Sequence, residues 1–207
     1  MLLRINSNKP DNDSIRKAAD ILRAGGIIIY PTDTVYGIGC DITQPKVIER
    51  LCQLKGIKST EANFSIICHD LSHLSDYAMP ISTAVFRVLK KALPGPYTFI
   101  LAANTKVPKS FQSKKKSVGI RVPDNLIIQE IVKALGNPIV SSSLHDADDE
   151  VIDYFADPEL IYEKYQDKVD LIVNGGYGNI EPSTVIDMTK GDYLVVRQGL
   201  GTIENLW

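Results

Sequence analysis

The sequence predicts an α/β protein: a single domain built on one twisted sheet of mixed parallel and antiparallel strands flanked by helices. Three observations lead there. Segments with helical spacing alternate with short apolar runs from residue 11 to residue 143. Three later runs, 168–176, 183–188 and 193–199, follow one another with no long helix between them, so parallel crossovers cannot join them all. No internal repeat and no long Gly/Ser linker divides the 207 residues.

Each element follows from local chemistry. Residues 11–24 open on Asx and Ser capping candidates, place Ile15, Ala18, Ala19 and Leu22 on one face, and stop at Gly25 and Gly26. GGIIIYP (25–31) is then a short buried strand, and 45–54 is helical because Val47, Ile48, Leu51 and Leu54 share a face. FSIIC (64–68) and YTFILAA (97–103) are core strands; SVGIRVP (117–123), NLIIQEIVKAL (125–135) and NPIVSSS (137–143) are strand, helix and strand. The acidic stretch 145–159, holding Asp146, Asp148, Asp149, Glu150 and Asp153, reads as a solvated connection or as a lid or Mg²⁺-attracting rim.

A net charge of −2 gives no general pull toward nucleic acid, so a basic site has to come from local clustering. Cys40, Cys52 and Cys68 have no C-x-x-C spacing and are odd in number, which fits a reducing compartment. The opening MLLRINSNKP turns polar after two leucines, and no apolar run approaches the ~18 residues of a membrane span. The expectation is a soluble, unexported, cytoplasmic protein with no membrane partner.

Four groups of residues are able to carry chemistry. In YPTDTVYGIGCD (30–41) a buried strand runs into a loop, the place where open α/β sheets bind ligands. Thr32 and Thr34 offer hydroxyls while Gly37 and Gly39 let a backbone come close; an ordinary Asx/ST turn reads equally well. Lys55, Lys58, Arg121 and Arg197 each stand near the end of a helix or strand, and a triphosphate needs several such fixed cations. In SSSLHD (141–146), Ser141, Ser143 and His145 are expected to line a polar pocket, because no G-x-S-x-G elbow surrounds them to make a nucleophile.

The fourth group, KKKS (114–117) with Lys106 and Lys109, reads as a solvated loop or as a phosphate-backbone contact for RNA. His69, His73 and His145 are expected to lie apart, with no zinc-type ligand set and no accompanying cysteine pair, so no metal ligand and no tightly bound metal is assigned. The absence of a G-x-x-x-x-G-K-[ST] loop and of a G-x-G-x-x-G turn excludes a P-loop NTPase and a standard dinucleotide binder.

YPTDTVYGIGCD, LKGIK (54–58), PGPYTFIL (94–101), GIRVP (119–123), IVSSSL (139–144), PSTVID (182–187) and VVRQG (195–199) occur in the order found in the YrdC/YciO family, which the chain resembles over nearly its whole length. The resemblance implies a twisted sheet around a positively charged concavity. It also implies a threonylcarbamoyl-adenylate synthase that joins threonine, bicarbonate and ATP with release of pyrophosphate. Mg²⁺ would accompany the ATP, and partner proteins would pass the activated group to an adenosine of tRNA. Family members have also been described as binding double-stranded RNA, which makes a noncatalytic binder of tRNA, rRNA or double-stranded RNA the alternative.

Carried over by motif, the resemblance puts Thr32 at the threonine, Lys55 at the ATP phosphates and Arg121 at a carboxylate or phosphate. It puts Ser143 at the nucleotide, Ser183 at the adenylate and Arg197 at a phosphate. The synthase branch carries K-x-R where this chain has Lys55, Gly56 and Ile57, with Lys58 the nearest cation, and S-x-N where it has Ser143, Leu144 and His145. These departures, with NFSIIC (63–68) and NGGYGNIEPSTVID (174–187), place the chain nearer the YciO branch and imply a weakened synthase activity.

Overall fold

Helix α1 (Asn12–Arg23) starts where the Asp11 carboxylate accepts the Ser14 amide at 2.8 Å, and it buries Ile15, Ala18, Ala19 and Leu22. The structure, a computed structural model, describes residues 1–58, 62–108, 116–144, 155–190, 192–204 and 206. The strands are β1 (Leu2–Arg4), β2 (Ile28–Tyr30), β3 (Gly37–Asp41), β4 (Ser65–Ile67), β5 (Tyr97–Ala102), β6 (Ser117–Arg121), β7 (Ile139–Ser143), β8 (Leu171–Asn174), β9 (Thr184–Asp187) and β10 (Leu194–Arg197). The remaining helices are α2 (Pro45–Leu54), α3 (Leu74–Tyr77), α4 (Thr83–Ala92), α5 (Leu126–Leu135) and α6 (Pro158–Tyr165).

All ten strands form one sheet in the order β1-β8-β2-β3-β7-β4-β6-β5-β9-β10. Parallel and antiparallel pairs are mixed, as the closely spaced late strands require: β8 to β2, β4 to β6 and β5 to β9 are parallel, while β3 pairs antiparallel with both β2 and β7.

The register explains what the two faces do, because side chains of directly paired residues share a face. Cys40, Val140, Ile66, Ile120, Phe99 and Ile186 stand in one line across six strands. Every one of them is fully buried, under α2, α3, α4 and α6. One residue along, the line reads Gly39, Ser141, Ser65, Gly119, Ile100 and Asp187. That second face is divided. Near β2 and β8 it carries Ile28, Tyr30, Leu171 and Val173 and is covered by α1 and α5. Beyond them Ile139 and Ile67 continue that covered apolar patch at one end, while the rest is largely serine, glycine and threonine, with Ser65, Gly119, Ser143 and Ile100 partly exposed.

Three corrections to the sequence expectations stand out. Residues 37–41, expected as ligand loop, form β3, whose five residues are all buried. The glycines there are strand residues that make room for a neighbour. Helix α4, absent from the expectation, is capped by Ser82, which accepts the Val85 amide, and buries Val85, Leu89 and Ala92. The connection expected over 145–159 ends early: Asp157 caps α6, which starts at Pro158, while residues 145–154, with the acidic rim expected there, lie outside the described residues.

Candidate functional site

The open half of the sheet owes its shape to Tyr30. Its ring, fully buried, lies where a side chain on Gly37 would be: a Cβ there would come within 2.8 Å of Tyr30 Cε2. A Cβ on Gly39 would come within 3.2 Å of the phenol oxygen and 2.3 Å of the Val140 carbonyl. The phenol donates to Ser141 Oγ at 2.6 Å, and burial holds it protonated well above the usual tyrosine range, since ionisation would strand a charge in the core. Tyr30 therefore walls off the helix-covered half, and Ser141 begins the polar half.

The turn ahead of β3 holds the two threonines. Thr32 Oγ1 donates to the Val35 carbonyl at 2.8 Å and accepts the Thr34 amide at 3.0 Å, while the two threonine hydroxyl oxygens lie 3.2 Å apart. This is the ST turn that the sequence allowed, and it also delivers Thr34 to a cation. Arg121, the last residue of β6, donates through Nη2 to Thr34 Oγ1 at 2.9 Å and to Asp33 Oδ1 at 3.2 Å. Arg121 is buried and Asp33 half-buried, their side chains 9% and 10% exposed. Burial raises the Asp33 carboxyl against the pull of Arg121, and burial lowers the Arg121 guanidinium against the pull of Asp33. Arg121 Nε is buried with no hydrogen-bond acceptor among the described residues.

Arg197 belongs to the same face, since it pairs in register with Val185, which pairs with Thr98. Its guanidinium donates to the Ser183 carbonyl from Nη2 at 2.8 Å and from Nε at 3.2 Å, and the Ser183 and Thr98 hydroxyls share a hydrogen bond of 2.8 Å. Its positive charge is felt at Arg121, where it adds to the downward push of burial.

Lys55 arrives from the opposite side, at the C-terminus of α2, and its Nζ donates to the Ser143 carbonyl at 3.2 Å. It is held there by the way α2 ends. The Gly56 amide donates to the Gln53 carbonyl and the Ile57 amide to the Cys52 carbonyl, with Gly56 at φ 65, which is a Schellman stop. Ile57 occupies the position after the left-handed glycine, a hydrophobic place in that motif, and is 37% exposed.

The structure thus sets separate contact groups along one sheet face: Thr32 with Thr34 and Arg121, Ser141 with Tyr30, Ser143 with Lys55, and Ser183 with Arg197. Lys58 is exposed and makes none of these contacts. His145, Lys109, Lys114 and Lys115 lie outside the described residues. Asp33, Thr98 and Ser65 were missed as site residues. The signal for the last two was alternation, Thr98 between Tyr97 and Phe99 and Ser65 two residues before Ile67. Nothing in the sequence pairs Asp33 with a residue 88 positions away.

The histidines also need a correction: His69 and His73 come together, ring centroids 5.0 Å apart and edge-on. His69 Nε2 lies 3.0 Å from an Asp70 carboxylate oxygen and His73 Nδ1 3.3 Å from one of Asp76. Among the described residues no group of three or more His, Cys, Asp or Glu is able to hold a metal ion.

Fold and site define an α/β protein with a serine- and glycine-floored sheet face edged by arginine and lysine. The chain belongs to the Sua5/YciO/YrdC family, whose model, described as telomere recombination, matches residues 20–199. It is similar to the Escherichia coli K12 protein YciO, 40% identical over 97% of this chain and 96% of that one. The crystal structure of E. coli YciO superposes at a TM-score of 0.91, covering 100% of this chain and 99% of the other at 38% identity. A threonylcarbamoyl-AMP synthase of Nitrosococcus oceani is 35% identical over 66% of this chain and 73% of its own length. Sua5 of P. abyssi, solved as a complex with L-threonine, shares the fold at a TM-score of 0.88 and 24% identity, over 96% of this chain and 57% of that one. No helix among the described residues is long and apolar enough to cross a membrane.

Proposed function

We propose that the chain is a threonylcarbamoyl-AMP synthase-type protein of weakened activity, binding threonine, bicarbonate and ATP and serving tRNA modification with partner proteins. The observation that carries this reading is the meeting of Thr34, Arg121, Ser183 and Arg197 at one end of the open face, with Lys55 and Ser143 at another. A relative 35% identical bears the name of that synthase, and a protein of the same fold was solved with L-threonine.

The chemistry suits such a site. A carbamate oxygen attacks the α-phosphorus of ATP, the bond from that phosphorus to its bridging oxygen breaks, and pyrophosphate leaves with the electron pair. Nucleophile, reacting centre and leaving group are all anionic, so fixed cations and preorganised hydroxyls supply the acceleration without a nucleophilic side chain. In this reading Thr32 and Thr34 order the loop that meets threonine and Arg121 takes its carboxylate. Ser141 and Ser143 line the nucleotide, Ser183 and Arg197 meet the adenylate, and Lys55 meets the phosphates.

In this reading Mg²⁺ comes bound to the triphosphate rather than to side chains of the protein. Bound there, it would neutralise phosphate charge. The reduced activity follows from Ile57: a branched hydrocarbon at the Schellman position cannot replace a cation, and one missing charge-assisted contact costs about 1.5–3 kcal/mol.

The deciding experiment is pyrophosphate release from ATP that depends on threonine and bicarbonate, with mass detection of the adenylate and Lys55→Ala as control. Product from the wild type and its loss in the control is the expected result. No product, together with salt-sensitive retention of double-stranded RNA, would replace this reading with a noncatalytic RNA-binding one.

A further inference from the structure

We propose that Asp33 is a specificity-determining residue of this site: paired with Arg121, it cancels one of the two arginine charges behind Thr34 and Ser183, so that this end accepts a single carboxylate and rejects a polyphosphate. The inference deepens the reading above, on which the identity of the carboxylate ligand rests.

Three features support it. Arg121 and Arg197 flank one row of the sheet face, that of Thr98 and Val185, and the Arg197 charge acts on Arg121. Two guanidiniums so placed would by themselves form a site for a multiply charged anion, the environment in which phosphate and pyrophosphate bind. Asp33 stands inside this arrangement, its carboxylate 3.2 Å from Arg121 Nη2 and almost as buried as the arginine. Asp124, the other carboxylate acting on Asp33, is exposed, so water screens it. What remains is one surplus positive charge shared by the two arginines, which matches one carboxylate and leaves a polyphosphate undercompensated.

A carboxylate in so buried a place is costly, because burial opposes its charged form. It has a structural task too, since Oδ2 accepts the Asp124 amide at 3.0 Å and ties the turn before β3 to the approach to α5. Asparagine keeps only one of the two acceptors, and glutamate keeps the charge at a different reach. The two substitutions therefore separate charge from scaffolding.

The test is titration calorimetry on the full chain, wild type, Asp33→Asn and Asp33→Glu, against L-threonine and against inorganic pyrophosphate. Thermal unfolding is run alongside to confirm that each variant is folded. Asp33→Asn is expected to shift the ratio of pyrophosphate to threonine affinity by about tenfold or more toward pyrophosphate and to steepen the salt dependence of pyrophosphate binding. Asp33→Glu is expected to keep the wild-type ratio. Equal weakening of both ligands in both variants would show a scaffolding role alone and overturn the proposal. If the wild type binds no threonine, the synthase reading fails; the pyrophosphate arm still decides, because affinity unchanged in Asp33→Asn would sink the charge-setting role on its own.

Discussion

The hydroxyl of Tyr30 reaches Ser141 at 2.6 Å from two strands away, across the glycines of β3. Gly37 is small because that ring lies over it, and Gly39 because the Val140 carbonyl and Ile139 crowd it. Tyr30→Phe is expected to cost about 1 kcal/mol in urea unfolding, the net worth of one hydrogen bond. Gly39→Ala is expected to cost more, about 1–3 kcal/mol, because its Cβ meets a backbone carbonyl that cannot step aside. The reverse ranking would mean that β3 shifts freely beneath the ring.

Arg121 and Asp33 form a buried pair, and leaving either charge alone in the core is unfavourable. Arg121→Met should lower stability by about 3–5 kcal/mol, and adding Asp33→Asn should restore part of the loss. A denaturant double-mutant cycle measures the coupling. Strict additivity would mean that the two charges are separately hydrated.

Ile57→Arg leaves the Schellman backbone bonds untouched and places a guanidinium two residues after Lys55. Stability is expected to change by about 0.5 kcal/mol or less at this exposed position, while ATP affinity rises about tenfold. Calorimetry with ATP checks it. Unchanged affinity would separate the end of α2 from the nucleotide.

Alkaline pH should destabilise the fold. Burial pushes the thiols of Cys40 and Cys68 up from 9.0 to about 12, and the Tyr36 phenol up from 10.0 to about 12. Between these limits the unfolded chain has released protons that the native protein still holds, so the unfolded state binds fewer and stability falls as pH rises from about 9 to about 12. Chemical denaturation at pH 8 and pH 10.5 reads the difference. Equal midpoints would mean that these groups ionise without leaving the core.

The regular frame was legible because its signals are local. Asn12–Arg23, Pro45–Leu54 and Leu126–Leu135 carry their own caps or stops and apolar spacing, and β5, β6 and β7 show as short apolar runs. β3 was hidden by Gly37 and Gly39, whose smallness answers atoms on the neighbouring strands β2 and β7. The cations were legible as residues at the ends of elements, whereas their grouping was not. Arg121 meets Thr34 at a separation of 87, and Arg197 reaches Ser183 only through the pairing of β9 with β10. Lys58 shows the limit from the other side: near Lys55 in sequence, it is turned outward by a helix stop that sequence proximity does not reveal.

A floor that opens at Ser65 and Gly119, with Gly39 and Ser141 buried beside them, offers a ligand mostly main chain. Its depth is therefore set by atoms that are missing, and a single methyl is the unit in which it can be altered. A Cβ on Gly119 would rest 3.3 Å from Ser65 Cβ and from Thr98 Cγ2, close but against side chains able to yield. A family built on such a floor can acquire a preference for smaller or larger ligands through one-carbon steps, while the strands beneath and their buried apolar line stay as they are.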